Sequence, residues 1–180
     1  MSMISVNILN NILDNKGIIE PSKILQTVVR EFNTAFTNEF NSNSIQDGLE
    51  LSICLHDTKN NKLYFSGAGS RIYISINQKL IKLKGSLVGI NSYTSFDEQF
   101  PETVFDINGR CLFYMFSDGV VDQFGGEKGK KFTSKRLEKV LEEIQTDSMT
   151  NQKSKLSSIL NDWRGANEQI DDIILMGIEL

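Results

Sequence analysis

A single histidine, His56, occurs among the 180 residues, which excludes any mechanism that needs two. Cysteine is equally sparse: Cys54 and Cys111 sit in separate apolar runs without CxxC spacing, so neither a disulfide framework nor a zinc site is indicated. Reduced thiols in the cytoplasm fit that usage. There is no basic excess either, because the formal charge is -4, and a nucleic-acid partner is not expected. No apolar run approaches the roughly 20 residues of a membrane span. The first residues also lack the charged, apolar and small-residue succession of a signal peptide. With no internal repeat, low-complexity tract or linker, residues 1–180 read as one cytoplasmic domain that neither enters a membrane nor binds nucleic acid.

What is present is a change of hydrophobic period along the chain. Residues 1–15 carry Met1, Ile4, Ile8 and Ile12 on one helical stripe, with Gly17 just past the end. The stripe is already running at residue 1 without a capping residue, which predicts a chain that starts inside a longer domain. A second helix is expected from Pro21, along Ile24, Leu25, Val28, Phe32, Ala35 and Phe36, with loop over residues 38–46. From Leu49 the period becomes two.

Strands are then expected over residues 49–56, 62–66, 71–76, 80–84, 94–100, 104–107 and 111–116, a meander rather than alternating strand and helix. Helices follow over residues 134–144 and 151–164. Residues 173–180 close the chain as an apolar strand expected inside a sheet rather than at its edge. The fold class is therefore α+β, with mostly antiparallel sheets flanked by helices.

Two acidic features stand at strand ends. In FYMFSDGVVDQFGG the apolar strand stops at Ser117, Asp118 and Gly119, where a carboxylate is held by a rigid element and glycine lets the backbone turn. Ser-Asp-Gly is also ordinary turn chemistry. Asp171 and Asp172 precede the last strand, and only one of two neighbouring side chains can face a given site. Carboxylates converging to about 4 Å would repel by roughly 4 kcal/mol at an effective dielectric near 20. A hard cation such as Mg²⁺ or Mn²⁺ would relieve that.

The stretches MSMISVNILNNIL, DGLELSICLHD, KLYFSGAGSRIYI, LFYMFSDGVVDQFGG with GKKF, and QIDDIILMGI occur in the order seen in one family. In that combination the chain resembles the SpoIIE/RsbU branch of the PPM metal-dependent serine/threonine protein phosphatases. The resemblance implies a PPM-like sandwich of antiparallel sheets flanked by helices, and a two-metal centre using Mn²⁺ or Mg²⁺ to hydrolyse phosphoserine or phosphothreonine by activated water. It assigns Asp118 and Asp171 as metal ligands, with Gly119 and Asp172 supporting them. The implied substrate is a phosphorylated regulatory protein such as an anti-sigma-factor antagonist, and an upstream sensor module is the usual partner in the family.

The sequence departs from the family at its front. It contains neither the GDFY-type strand nor the Asp-x-x-Gly-His-Gly motif that supplies bridging carboxylates, so the resemblance implies a truncated domain with half its metal ligands. Weak or absent activity of the isolated chain is expected, and a homodimer would cover sheet edges left unpaired. The alternative is a pseudophosphatase or phosphoprotein-binding fragment.

The remaining polar features divide less sharply. GGEKGKK misses the Walker spacing and has Lys131 where Ser or Thr is required. Lys128, Lys130 and Lys131 would attract an acidic phosphoprotein, or form only a solvated basic turn. Ser66 and Ser70 belong to no hydrolase triad order. His56 is expected to be exposed, Trp163 to pack in a core, and Asp47 and Asp122 to serve turns or the ligands' neighbours.

Overall fold

The computed structural model describes residues 2–39, 48–91, 94–95 and 97–180. Met1, Asp47 and residues 40–46 of the expected loop lie outside them, as do the side chains of Ile4, Ala35 and Phe36. Two helices open the chain: α1, Ser2–Asn10, which runs on into a π-helical turn, Asn11–Asn15, and α2, Pro21–Glu39. Strands β1, Leu51–Asp57, β2, Lys62–Ala68, β3, Arg71–Ile76, β4, Lys79–Lys84, β5, Thr103–Asp106, and β6, Cys111–Phe116, come next. A short helix α3, Asp118–Asp122, leads into the two-residue strands β7, Phe124–Gly125, and β8, Lys130–Lys131. Helices α4, Ser134–Ile144, and α5, Met149–Arg164, precede strand β9, Leu175–Glu179.

These elements form two compact units, Met1–Arg71 with Lys84–Ile107, and Ile72–Leu83 with Asn108–Leu180. In the first, β1, β2 and β5 make an antiparallel sheet in register Leu51 to Ala68 and Lys62 to Asp106. The amphipathic stripe of α2 supplies Ile24, Leu25, Val28 and Phe32, which pack with Ile8, Ile12, Ala68, Ile90 and Phe100. Burial of such side chains contributes about 1.5–3 kcal/mol each. Gly17, at φ +62°, stops the opening helix as its position suggests.

The second unit carries the sheet β4-β3-β6-β9. Strand β6 is its apolar centre, pairing with β3 through Tyr73 to Tyr114 and with β9 through Phe116 to Leu175. Against it pack Leu137, Val140, Leu141 and Ile144 of α4 and Leu156 of α5. Both units are antiparallel sheet with helices, as the period changes require.

Four expectations need correction. Helix α2 continues to Glu39, through the first two residues assigned to loop. The strand expected over residues 94–100 is absent among its described residues. Thr94 there accepts a hydrogen bond from Asn91 N at 2.9 Å and donates to Gly89 O at 3.0 Å, and side-chain bonds of this kind close turns in place of a ladder. Strand β9 lies at the edge of the described sheet, with Met176 45% exposed and Ile174, just before the strand, 63% exposed. Its apolar run looked buried on both faces because apolar content alone does not report a missing neighbour. His56 is half-buried rather than exposed, since both faces of β1 are partly covered.

Candidate functional site

The apolar run of β6 ends at Phe116, and the backbone beyond it forms a bracket rather than a free turn. Ser117 stays extended, at φ -78° and ψ 159°, and its backbone N–H donates to Ile174 O at 2.9 Å. Its hydroxyl donates to Asp172 O at 2.7 Å and accepts from Ile174 N at 3.0 Å. One serine therefore fastens the end of β6 to the backbone leading into β9.

Gly119 makes the approach sterically feasible. A Cβ at that position would stand 2.4 Å from Asp172 O, 2.9 Å from its carbonyl carbon and 3.3 Å from Asp171 Cβ. The glycine thus admits the residue 171–172 backbone, a sharper role than keeping a turn open. Gln123, 1% exposed, donates to Glu168 O at 2.9 Å and holds the loop before the acidic pair.

The acidic side chains remain at the surface. Asp118 opens α3 with its carboxylate exposed and without a hydrogen bond or ion pair to any described residue. Asp171 is also exposed, and one of its oxygens accepts from Asp172 N at 2.7 Å. The carbonyl of Asp171 accepts from Gln169 Nε2 at 2.8 Å. Asp172 contributes its carbonyl to Ser117. Hard carboxylate oxygens on two segments held side by side suit Mg²⁺ or Mn²⁺ in donor type. Among the described residues, however, no group of three or more His, Cys, Asp or Glu could hold a metal ion, so the donors suffice in kind but not in number for two ions.

The other flagged residues sort clearly. Lys131 pairs with Asp122 at 2.8 Å, while Lys128 and Lys130 are exposed on the same turn. Ser66 donates to Pro101 O at 3.1 Å and Ser70 to Leu51 O at 2.8 Å, so both hydroxyls brace backbone. Trp163 is half-buried, edge-on to Phe132, with its indole N–H donating to Gln123 O at 3.1 Å. Sequence reasoning missed Ser117 as a fastener and Arg136 altogether. The Ser-Asp-Gly triplet could have pointed to the first, but nothing in residues 134–144 distinguishes the second from other helix cations.

The family model described as Stage II sporulation protein E (SpoIIE) matches residues 1–180. No curated protein sequence matches the chain. Among solved structures it is similar to the SiaA-PP2C domain of Pseudomonas aeruginosa, with TM-score 0.86 and 22% identity, covering 99% of this chain and 68% of that one. It is similar to the catalytic domain of the serine threonine protein phosphatase PstP in complex with two manganese ions, with TM-score 0.63 and 15% identity, over 99% and 79% of the two chains. The RsbU and RsbW domains of a Mycobacterium tuberculosis protein match with TM-score 0.67 and 13% identity, over 96% of this chain and 45% of that one. With a fold shared by PPM-type phosphatases and a family match over its whole length, the chain belongs to the SpoIIE family of protein phosphatases.

Proposed function

We propose that the chain is part of a cytoplasmic protein serine/threonine phosphatase acting on a phosphorylated regulator, such as an anti-sigma-factor antagonist, under control of an upstream sensor module. The observation that supports this reading is the Ser117 bracket, with Gly119 beneath it, which joins the segment that carries Asp118 to the backbone at Asp171 and Asp172. Asp118 and Asp171 would hold a divalent ion, Mn²⁺ or Mg²⁺, and such an ion supplies Lewis acidity toward a phosphoryl oxygen and activates water. Asp172 orients the pair by fixing the backbone between them, and its own carboxylate adds negative charge that favours cation capture.

A second reading has a specific observation behind it. With no group of three ligands among the described residues, the chain alone would be a phosphoprotein-binding remnant rather than a competent hydrolase. Calorimetric titration of Mn²⁺ into the chain and into D118N and D171N separates the two. The phosphatase reading expects saturable binding that either substitution weakens about tenfold, with at most slow hydrolysis of a phosphoserine peptide. Absence of Mn²⁺ binding at millimolar metal would leave the remnant.

A further inference from the structure

We infer that the cleft beside the β7–β8 turn is a docking site for an acidic segment of the substrate protein, the sequence flanking its phosphorylated residue. The inference rests on the phosphatase reading for the word substrate, and on the cleft's own chemistry for the rest.

The cleft has a volume of about 660 Å³, and its lining includes Lys128, Lys130, Lys131, Arg136, Glu127 and Trp163. Four cations face one carboxylate in a chain whose formal charge is -4, so the cationic excess is local. Lys131 is engaged by Asp122 at 2.8 Å. The side chains of Lys128, Lys130 and Arg136 make no hydrogen bond or ion pair to a described residue, and all three residues are exposed.

Arg136 is the group that distinguishes this cleft from a solvated basic turn. Its guanidinium carbon lies 4.0 Å from the centre of the Trp163 ring and 5.9 Å from that of Phe132. A guanidinium stacked this way keeps its N–H edge free and loses little freedom when it grips a carboxylate or phosphate with two bonds. The platform beneath it is itself fixed. Gly126 N donates to Trp163 O at 2.8 Å, and a Cβ on Gly126 would stand 2.7 Å from the indole ring.

The cleft is also placed to read the residues next to the phosphoresidue. Helix α3 begins at Asp118 and ends at Asp122, the partner of Lys131, and four steps of helix rise span roughly 6 Å. A peptide whose phosphate sat at Asp118 would have its neighbouring residues within reach of the cleft. The cleft is open, and Arg136 stacked on Trp163 within it offers the two-bond grip on a single carboxylate or phosphate that an acidic phosphopeptide presents.

The test is fluorescence anisotropy of the chain with a labelled Glu/Asp-rich peptide bearing a central phosphoserine, in EDTA so that no metal participates. The expected result is salt-sensitive binding that weakens about tenfold in K128Q/K130Q, in R136Q, and when the peptide's acidic residues become Gln and Asn. Because R136Q removes a contact of Trp163, circular dichroism checks its fold, and K128Q/K130Q, altered only at exposed positions, decides if R136Q unfolds. Equal binding of acidic and neutral peptides, indifference to K128Q/K130Q, or retention of the chain on phosphatidylserine vesicles in place of the peptide would overturn the proposal. Failure of Mn²⁺ binding with charge-dependent peptide binding intact would sink the phosphatase reading alone.

Discussion

A methyl group on Gly119 would lie 2.4 Å from the carbonyl oxygen of Asp172, so the two acidic motifs are neighbours only because residue 119 has no side chain. G119A must push the residue 171–172 backbone away, at a cost of about 1–3 kcal/mol by the usual penalty of overpacking. Gly129 gives the contrast: nothing lies within 4 Å of its Cβ position, yet its φ is +53°. G129A is therefore expected to cost about 1 kcal/mol from backbone strain alone. Urea denaturation of both variants should rank G119A as the less stable, and equal midpoints would refute the close approach.

Ser117 makes the complementary prediction. Its hydroxyl is donor to Asp172 O and acceptor from Ile174 N, and alanine loses both bonds at once. At about 1 kcal/mol per bond, S117A should lose roughly 2 kcal/mol of stability, and S117T, which keeps the oxygen, should recover most of it. A threonine no better than alanine would show that the hydroxyl does not hold the strand ends together.

Local pattern made much of this legible. The periodicity of Leu137, Val140, Leu141 and Ile144 placed α4 at residues 134–144, where the structure has it, because an amphipathic stripe is a property of the segment itself. The close approach of the Ser117–Gly119 turn to the residue 171–172 backbone involves segments whose acidic residues both stand at strand ends in the sequence. Relationships between distant residues escaped. The stacking of Arg136 on Trp163 joins two helices across 27 positions and leaves no trace in either helix's spacing. The edge position of β9 was equally hidden, since an apolar strand does not encode how many neighbours it has.

Acid should weaken the second unit through Glu179. Arg110 donates to its two oxygens at 2.8 and 3.2 Å while also donating to the carbonyls of Gln145 and Asp147. The Arg110 hydrogen bond holds the Glu179 carboxyl below its ordinary value of 4.5. A carboxyl depressed in the folded state contributes stability that is complete above its unfolded value and is lost as pH falls through its folded one. Urea midpoints should therefore fall as pH drops below the ordinary carboxyl value of 4.5, and E179Q should flatten, without abolishing, that fall. Asp57, also held below its ordinary value by its bonds to Asn60, keeps its own share. An E179Q profile parallel to that of the unaltered chain would remove Glu179 from the acid response.

The thiols make the last prediction, and its sign is opposite to that of a reactive cysteine. Burial pushes the Cys54 thiol up to about 12 and raises that of Cys111 as well. At pH 8 a thiol titrating near 12 is thiolate in about one molecule in ten thousand, and only the thiolate attacks a disulfide reagent. Cys111 is fully covered in the centre of its sheet, so access reinforces the effect there. The folded chain should react with 5,5′-dithiobis(2-nitrobenzoate) no faster than it unfolds, and both thiols should label at once in urea. G119A and S117A should speed native labelling of Cys111 in proportion to their loss of stability. A fast phase at Cys54 in the folded chain would mean that its half-buried position admits the reagent and that burial does not set its proton affinity.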